Sequence, residues 1–454
     1  MAKKKTIRTI PQERTPMPEQ DPAERARNFK EVACGYTLEN ALREAERCLQ
    51  CADEPCIRGC PVSIDIPAFI QKIADKHYHG AYDVITDTNL LPSVCGRVCP
   101  QENQCEGVCT VGDTLEPVAI GRLERFVGDM AIREGWVNLP YIEKNGFKVG
   151  IVGSGPAGMA CAADMAKAGC EVVVYEAFHE PGGVLKYGIP DFRLPNAVID
   201  VEIDKLKQLG VRFECNTLVG RLFTIEQMLT EMGFHSVFLG TGAGYPSFMG
   251  IPGESLNGVL SANELLTRCN LMRARDFPNF DTPMQPGKRV AVIGAGNTAM
   301  DALRVSLRLG AEKVYCIYRR SRKEAPARAE EVHHAEEEGV KFNWLTHPID
   351  GASRVPSIDA LLPAPVVGDG FVGVLDDAAR SVSPESPSPS AGSSASSATW
   401  RSAKAGSTCP TSRRTVSRSA SWAPAPPAWP ARPTWPRPAV KWSSTRLSTS
   451  RAAS

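Results

Sequence analysis

Apolar residues in the middle of the chain form two short runs on either side of a helical repeat. Val149–Val152 is long enough for a buried parallel strand, and Glu171–Tyr175 is a second one. Between them, the Ala-rich segment Met159–Ala168 has the composition of a helix, and Gly169 ends it. This order of elements predicts a strand–helix–strand unit.

The turn between the first strand and the helix carries three glycines spaced as G-x-G-x-x-G. The first glycine permits the turn, the second lets the backbone approach a pyrophosphate, and the third lets the helix pack closely on the strand. An acid stands about 20 residues further on, where such units bind ribose hydroxyls. A βαβ unit without a ligand is the alternative. The candidate binding residues are Gly153, Gly155, Pro156, Ala157, Gly158 and Glu176.

The same order of elements recurs from Lys288 to Arg320, with a G-x-G-x-x-A turn, a helix to about Leu309 and Gly310 as its stop. Two arginines, rather than an acid, follow the second strand. Guanidinium groups there suit the 2′-phosphate of NADP(H), although a solvated basic turn is the alternative. The candidate binding residues are Gly294, Gly296, Asn297, Thr298, Ala299, Arg319 and Arg320.

A helical pattern that starts near Thr37 leads into two groups of four cysteines. Four thiolates in each group suit two [4Fe–4S] clusters, whereas C-x2-C pairs also occur in zinc ribbons. Varied spacings, a proline after one cysteine of each group and the lack of an interleaved histidine favour iron–sulfur over zinc. Structural free thiols are a third, weaker interpretation, and the more probable one for Cys34 alone. The groups are Cys48, Cys51, Cys56 and Cys60, then Cys95, Cys99, Cys105 and Cys109.

Length and composition fit a globular protein of about three domains. The chain has 454 residues, 43% of them hydrophobic, and nine of its fifteen cysteines lie between Cys34 and Cys109. We expect a cytoplasmic protein, because no apolar run approaches the roughly 20 residues of a membrane span and the first residues lack an apolar signal core. The segment Ser386–Ser454 holds ten Lys or Arg and no acid, so removing these charges from the net +1 leaves −9 for the rest. That acidic body argues against nucleic acid as the main partner.

The cysteine pattern, the segment Glu116–Phe126 (EPVAIGRLERF) and the glycine turn together resemble the small (beta) subunit of NADPH-dependent glutamate synthase. Similar modules occur in the N-terminal half of dihydropyrimidine dehydrogenase, in sulfide dehydrogenase alpha subunits and in the ferredoxin:NADP transhydrogenase large subunit. The resemblance extends from about Glu31 to His347. It implies FAD at the first βαβ unit, NADPH at the second, and two [4Fe–4S] clusters whose cysteines swap between the groups. The implied ligand sets are Cys48, Cys51, Cys56 and Cys109 for one cluster and Cys60, Cys95, Cys99 and Cys105 for the other.

The resemblance also implies that the flavin ring lies against the loop Pro181–Pro195, whose glycines and prolines leave little side-chain bulk. Ordinary core packing is the alternative for its apolar residues. By analogy, Asp301 and Glu331 would lie on the nicotinamide side. The loop residues implied as FAD neighbours are Gly183, Leu185, Tyr187 and Ile189.

The predicted fold class is α/β, with an α-helical bis-cluster iron–sulfur domain followed by two nested Rossmann-like domains, the second incomplete, and an unstructured tail. The predicted boundaries are 1–30 for a flexible N-terminus, 31–145 for the iron–sulfur domain, 146–255 for the first part of the FAD domain, 256–350 for the NADPH domain and 351–454 for the tail.

After about His347 the resemblance ends, and the return to the flavin domain expected of the family is missing. From Ser386 the sequence fits a one-nucleotide shift in the reading of DNA that encodes Glu116–Val184. For example, Trp400, Trp422 and Trp429 fall in register with Met130, Val152 and Met159, each of which precedes a codon that begins with G. We interpret this tail as a frameshift or an assembly error. A basic tail for RNA or membranes is the alternative.

The sequence is compatible with three interpretations of the function. The resemblance implies an oxidoreductase subunit that passes electrons from NADPH through FAD and two clusters to a partner subunit. Glutamate synthase is the first expectation, and sulfide dehydrogenase or ferredoxin:NADP oxidoreductase subunits are alternatives. A truncated electron-transfer module or inactive product is the second interpretation, and a zinc-binding scaffold the third. Neither nucleic acid nor a membrane is expected as a partner, and no catalytic side chain is assigned, since the cofactors perform the redox chemistry.

Overall fold

The computed structural model describes residues 10–137, 142–284 and 286–348, together with the backbone of Phe371–Gly373. Its first part is helical. Thr37 and Asn40 form a capping box that starts the second helix, and Gly135, with φ at +69°, ends the last. The helices are α1 Pro22–Arg25, α2 Leu38–Ala45, α3 Pro55–Gly59, α4 Ile66–Ala74, α5 Tyr78–Thr86, α6 Pro92–Val98 and α7 Ile120–Glu134.

The second part is a parallel sheet in the order β3–β2–β1–β4 with helices around it. Val149 on the central strand pairs with Val172 on one side and Ser236 on the other. The predicted helix begins three residues earlier than expected, because Pro156 occupies its first turn, where its missing N–H costs nothing. The elements are β1 Lys148–Val152, α8 Pro156–Lys167, β2 Glu171–Tyr175, α9 Val184–Tyr187, α10 Asn196–Gln208, β3 Arg212–Glu214, α11 Ile225–Thr230 and β4 Ser236–Leu239.

The third part repeats the βαβ arrangement in a sheet of order β5–β9–β6–β7–β8. Strands β6, β7 and β8 are parallel, and β9 is antiparallel to both of its neighbours. The elements are β5 Leu260–Ser261, α12 Ala262–Asn270, β6 Arg289–Ile293, α13 Asn297–Arg308, β7 Lys313–Tyr318, α14 Ala329–Glu337, β8 Lys341–Trp344 and β9 Phe371–Gly373.

The predicted fold class is confirmed. Strand β9 falls within the segment predicted to be an unstructured tail, and the rest of that segment lies outside the described residues. Within the described part of the chain, no helix has the length and apolar character of a membrane span. We refer below to the three parts as the iron–sulfur domain (α1–α7), the flavin half (β1–β4) and the nucleotide half (β5–β9).

From residue 10 onward, the N-terminal segment that we expected to be flexible packs on the rest of the described chain. Arg25 is 1% exposed and Val32 3% exposed, and the ring of Phe29 packs on Phe192 at 6.2 Å between centroids. The backbone of Asn28 also accepts a hydrogen bond from Arg308 Nε at 2.7 Å. This segment is polar and interrupted by prolines, but its apolar side chains pack on two cores. Phe29 lies against the core of the nucleotide half, and Ile10 and Met17 lie against the core of the helical first part.

Candidate functional site

The first glycine turn has the geometry that a pyrophosphate requires. Gly153 has φ at +101°, and a Cβ on it would overlap the carbonyl oxygen of Gly240. A Cβ on Gly158 would overlap the carbonyl oxygen of Gly153, so this glycine lets α8 lie against β1. A Cβ on Gly155 would meet only Gly183, at 3.9 Å, which leaves its backbone open to a ligand.

A cleft of about 1110 Å³ opens over this turn. It exceeds the roughly 300–1,000 Å³ of typical ligand pockets, as an extended dinucleotide requires. Of the predicted residues, the lining includes Gly153, Gly155, Pro156, Ala157, Glu176, Gly183 and Tyr187.

Three predicted residues lie outside the cleft lining. Gly158 is behind the turn, where it serves helix packing. Leu185 is 3% exposed in the apolar core of the flavin half, and Ile189 packs against that core. The alternative of ordinary core packing therefore describes the placement of both apolar side chains.

Glu176 is held in place by its neighbours at the end of β2. Its carboxylate accepts hydrogen bonds from the backbone N–H groups of Ser154 and Phe178, each at 3.0 Å, and from the Ser154 hydroxyl. That hydroxyl in turn accepts from the Gly182 N–H at 2.9 Å. The remaining lone pairs of Glu176 can accept ribose hydroxyls. Ser154 was not predicted from the sequence, because the glycine pattern leaves its position free.

The second glycine turn is similar in backbone and different in its surroundings. Gly294 has φ at +131°, and a Cβ on Gly296 would meet only Pro326, at 4.0 Å. Asn297 accepts a hydrogen bond from the Arg328 N–H at 3.1 Å, and Ala299 is buried. Thr298 lines the flavin cleft, so the nucleotide half supplies part of its wall.

Arg319 and Arg320 follow β7 at the edge of the nucleotide half, and both are exposed. Neither guanidinium forms an ion pair with a described residue, whereas most arginines of this half do. Their donors are therefore available for a 2′-phosphate.

Asp301 and Glu331, expected on the nicotinamide side, lie in a buried cluster of opposite charges that we call the ionic seam. Arg193 Nη1 contacts Asp301 Oδ2 at 2.8 Å, and Arg304 Nη1 contacts Glu331 Oε2 at 2.5 Å. The seam consists of Arg25, Arg193, Arg304, Arg308, Asp301, Glu331 and Glu338. Both carboxylates thus pair with arginines, and a position beside nicotinamide stays a prediction for them.

The eight predicted cysteine ligands fall into two sites that cross the sequence groups. Cys48, Cys51, Cys56 and Cys109 line one small cavity, which we call the first site. Cys60 and Cys99 both interact electrostatically with Cys95 and with Cys105. These four cysteines form the second site. This is the grouping that the resemblance implies.

Burial, aided by the negative charges of Cys48 and Cys109, raises the pKa of Cys56 to about 12. In the second site, burial and then Glu124 raise the pKa of Cys99 to about 11. Such sites hold thiolates only when a metal centre supplies positive charge.

Glu124 is a further candidate ligand that the sequence did not reveal. It lies on α7, is 6% exposed and acts electrostatically on Cys95, Cys99 and Cys105. Its one hydrogen-bond donor is Asn89, at 2.6 Å, and no described cation pairs with it. Burial raises its pKa to about 8. Buried carboxylates are normally paired or bound to metal, so the second site offers five donors rather than four.

The two sites differ in their neighbours. Leu91 and Val94, on the helix that carries Cys95, belong to the apolar core of the flavin half. Arg328 of the nucleotide half donates to the Arg97 carbonyl at 2.7 Å. The cavity of the first site, in contrast, is lined by residues of the iron–sulfur domain alone. The second site therefore lies nearer to the flavin half and the nucleotide half than the first site does.

Two family models match the chain. The model described as dihydropyrimidine dehydrogenase domain II, 4Fe-4S cluster, matches residues 25–136. The model described as pyridine nucleotide-disulphide oxidoreductase matches residues 147–359, which extends somewhat beyond His347.

Curated relatives align over most of their length. The glutamate synthase [NADPH] small chain of Azospirillum brasilense is 37% identical over 339 residues, which cover 73% of this chain and 70% of that protein. The corresponding small chain of Escherichia coli is 37% identical over 325 residues, covering 71% and 68%. Among solved structures, Lactococcus lactis thioredoxin reductase aligns with 20% identity and a TM-score of 0.33, covering 46% of this chain and 67% of that one.

Proposed function

The chain belongs to the family of NADPH-dependent glutamate synthase small chains, oxidoreductases whose cofactors are FAD, NADPH and [4Fe–4S] clusters, and we propose that it passes electrons from NADPH through FAD and two clusters to a partner subunit. The observation that carries this proposal is the crossed pairing of the cysteines beside a glycine-lined cleft. A zinc scaffold would not need a flavin cleft, and a flavin reductase alone would not need the cysteines.

We assign the nucleotide roles to residues of the two βαβ units. Backbone N–H groups at the start of α8 would face the FAD pyrophosphate, with Glu176 on the ribose. Arg319 and Arg320 would bind the 2′-phosphate of NADPH. FAD supplies the conversion of a hydride pair into single electrons. No side chain needs to act as an acid or base in hydride transfer to a flavin, so the protein's part is to position and insulate the cofactors.

We propose Cys48, Cys51, Cys56 and Cys109 as the ligands of the first cluster. Three ligands of the second cluster are Cys60, Cys99 and Cys105. Cys95, implied by the resemblance, and Glu124, added by the structure, compete for the fourth place, and the unpaired burial of Glu124 favours the carboxylate. Comparing C95S with E124Q decides between them: the true ligand's variant loses or alters the electron paramagnetic resonance signal of one cluster, whereas the other variant keeps both signals.

The proposal is tested by anaerobic reconstitution of the full chain with FAD, iron and sulfide. We expect about eight iron atoms, for two four-iron cubes, together with flavin bands that NADPH bleaches and NADH does not. Clusters without flavin would favour the alternative of an electron-transfer module that is not an enzyme. A colourless zinc protein would contradict the proposal.

The partner is proposed to be the large chain of glutamate synthase or an equivalent redox subunit. Adding that large chain with glutamine and 2-oxoglutarate should yield glutamate at the expense of NADPH. Sulfide dehydrogenase or ferredoxin:NADP oxidoreductase remain the alternatives if no glutamate forms while NADPH is still oxidised. We also propose a cytoplasmic location, where reduced thiols persist.

A further inference from the structure

We infer that the surface around the first cysteine site is the docking surface for the electron-accepting partner, and that this partner presents an apolar face edged by lysine or arginine. This inference rests on the proposed function and adds to it the place and chemistry of the contact. It starts from the position of the two sites. The second site faces the flavin and nucleotide halves, so the first site is where electrons leave the chain.

Exposed apolar side chains concentrate at this exit. Among the described residues of the iron–sulfur domain, the exposed large apolar side chains are Leu38, Leu49, Val62 and Val108. Two of the four adjoin cysteines of the first site: Leu49 follows Cys48 and lines its cavity, and Val108 precedes Cys109. A third, Val62, lies two residues after Cys60 of the second site. These three are 45–48% exposed.

Val108 packs against the chain segment that leads to Val62. A Cβ on Gly59 would overlap Val108 Cγ2, so Val108 lies against the chain that leads through Cys60 to Val62. Weak electron-transfer contacts bury less than about 1,200 Å², so a few exposed apolar side chains are enough to form the centre of one. Leu49, Val62 and Val108 define the exit patch.

The exposed charged residues that neighbour the first-site cysteines in sequence are mostly acidic, and we take them as the rim of the exit patch. Within four residues of a first-site cysteine, the exposed charged side chains are Glu46, Asp53, Glu54, Arg58 and Asp113. The rim therefore holds four carboxylates and one guanidinium, and this guanidinium, of Arg58, lies 3.9 Å from Asp53. A negative rim favours a partner with a positive one, because complementary fields steer encounter and fix orientation.

The test uses the full chain with reconstituted clusters, reduced by dithionite, and a lysine-rich cytochrome c as the acceptor probe. The charge variant is D53K/D113K and the apolar variant is V62N/V108N. We expect the charge variant to slow cytochrome reduction about 10-fold or more at low salt, since electrostatic steering is worth 10–10³ in rate. Reduction of a small dye, dichlorophenolindophenol, should stay unchanged in both variants, and so should iron content.

The matched control is L222N, because Leu222 is 65% exposed but lies in the flavin half. Equal cytochrome rates for wild type and both exit-patch variants, or an equal loss in L222N, would overturn the inference while the clusters remain. A dimer that dissociates in V62N/V108N would assign the patch to a second copy and would also overturn it. Failure of the wild-type chain to take up clusters would instead refute the proposed function, and the inference with it.

Discussion

The two βαβ units of this chain have nearly the same backbone and differ in the side chains that follow their second strands. In the flavin half, β2 ends at a buried carboxylate that Ser154 and Phe178 hold in place. In the nucleotide half, β7 ends at two exposed arginines without ion-pair partners among the described residues. We therefore propose that the scaffold fixes where a dinucleotide lies and that the residues after the strand select which one binds.

The support of the two units also differs. The nucleotide half is braced by the ionic seam, in which Glu338 contacts both Arg304, at 2.7 Å, and Arg308, at 2.6 Å. Arg25, from the N-terminal segment, approaches the same carboxylate at 3.3 Å. In the flavin half, β4 carries exposed apolar side chains such as Leu239. The flavin half has a buried ion pair of its own, between Lys205 and Glu202. Among the described residues, however, the larger network of arginines around one carboxylate lies in the nucleotide half.

The largest expected effect comes from removing the arginines that distinguish the units. R319A/R320A should weaken NADPH binding at least 100-fold, because each charge-assisted hydrogen bond contributes about 1.5–3 kcal/mol. NADH, which lacks the 2′-phosphate, should bind as before. Nucleotide titration by calorimetry measures both affinities. K313A, at the other end of the same strand, is the control, and an equal loss of NADH binding would refute the assignment.

Unpairing the seam should have the next largest effect. R304M leaves Glu331 and Glu338 buried without their shared partner, and such a change costs about 3–5 kcal/mol of unfolding free energy. Denaturant unfolding measures the loss. R322M breaks the exposed pair with Glu336 and should cost less than about 1 kcal/mol. Similar costs for the two variants would show that the seam does not brace the nucleotide half.

The fold and the two nucleotide turns were predictable because their signals are local. A strand, a glycine turn, a helix and a second strand lie within about 30 residues, and the backbone needs of each glycine follow from its position. The crossed cysteine sites came from the family resemblance, since counting along the chain gives two uncrossed groups. Glu124 was not predicted as a ligand, because that role depends on its burial beside Cys99 and Cys105, which no spacing in the sequence shows.

The N-terminal segment shows the limit of composition as evidence. Residues 10–30 are polar and rich in proline, which favours a prediction of disorder. In the structure they nevertheless pack on the nucleotide half, because Arg25 pairs with an acid of α14 and with the acid that follows it, more than 300 positions away in the sequence. A local sequence pattern cannot reveal ion-pair partners that are so far apart in the chain. The same holds for Asp301 and Glu331, because each pairs with an arginine from a different element.

The seam should also make the stability of the nucleotide half depend on pH. Burial alone would raise the pKa of Glu331 and Glu338, but the arginines around them outweigh it and lower both values to about 2. Their stabilisation is complete above the unfolded pKa of about 4.5 and is lost as the pH falls towards 2. Burial raises the pKa of Asp301 to about 7, so its contribution has the opposite sign and declines as the pH rises from about 4 to 7. Urea midpoints from pH 8 to pH 3 should therefore pass through a maximum, and a midpoint that does not fall below pH 4.5 would contradict the role of the glutamates.

The smallest expected effect comes from exchanging glycine and alanine at the third position of the two glycine turns. This pair of substitutions also compares the two units most directly. G158A places a methyl group against the Gly153 carbonyl and should cost about 1–3 kcal/mol, with weaker FAD binding, since α8 must move away from β1. A299G introduces a glycine into α13 and should cost only about 1 kcal/mol, with NADPH affinity unchanged. Thermal unfolding and ligand titration of the two variants measure this asymmetry. If G158A proves as mild as A299G, the close approach of helix to strand is not what the flavin half requires of that glycine.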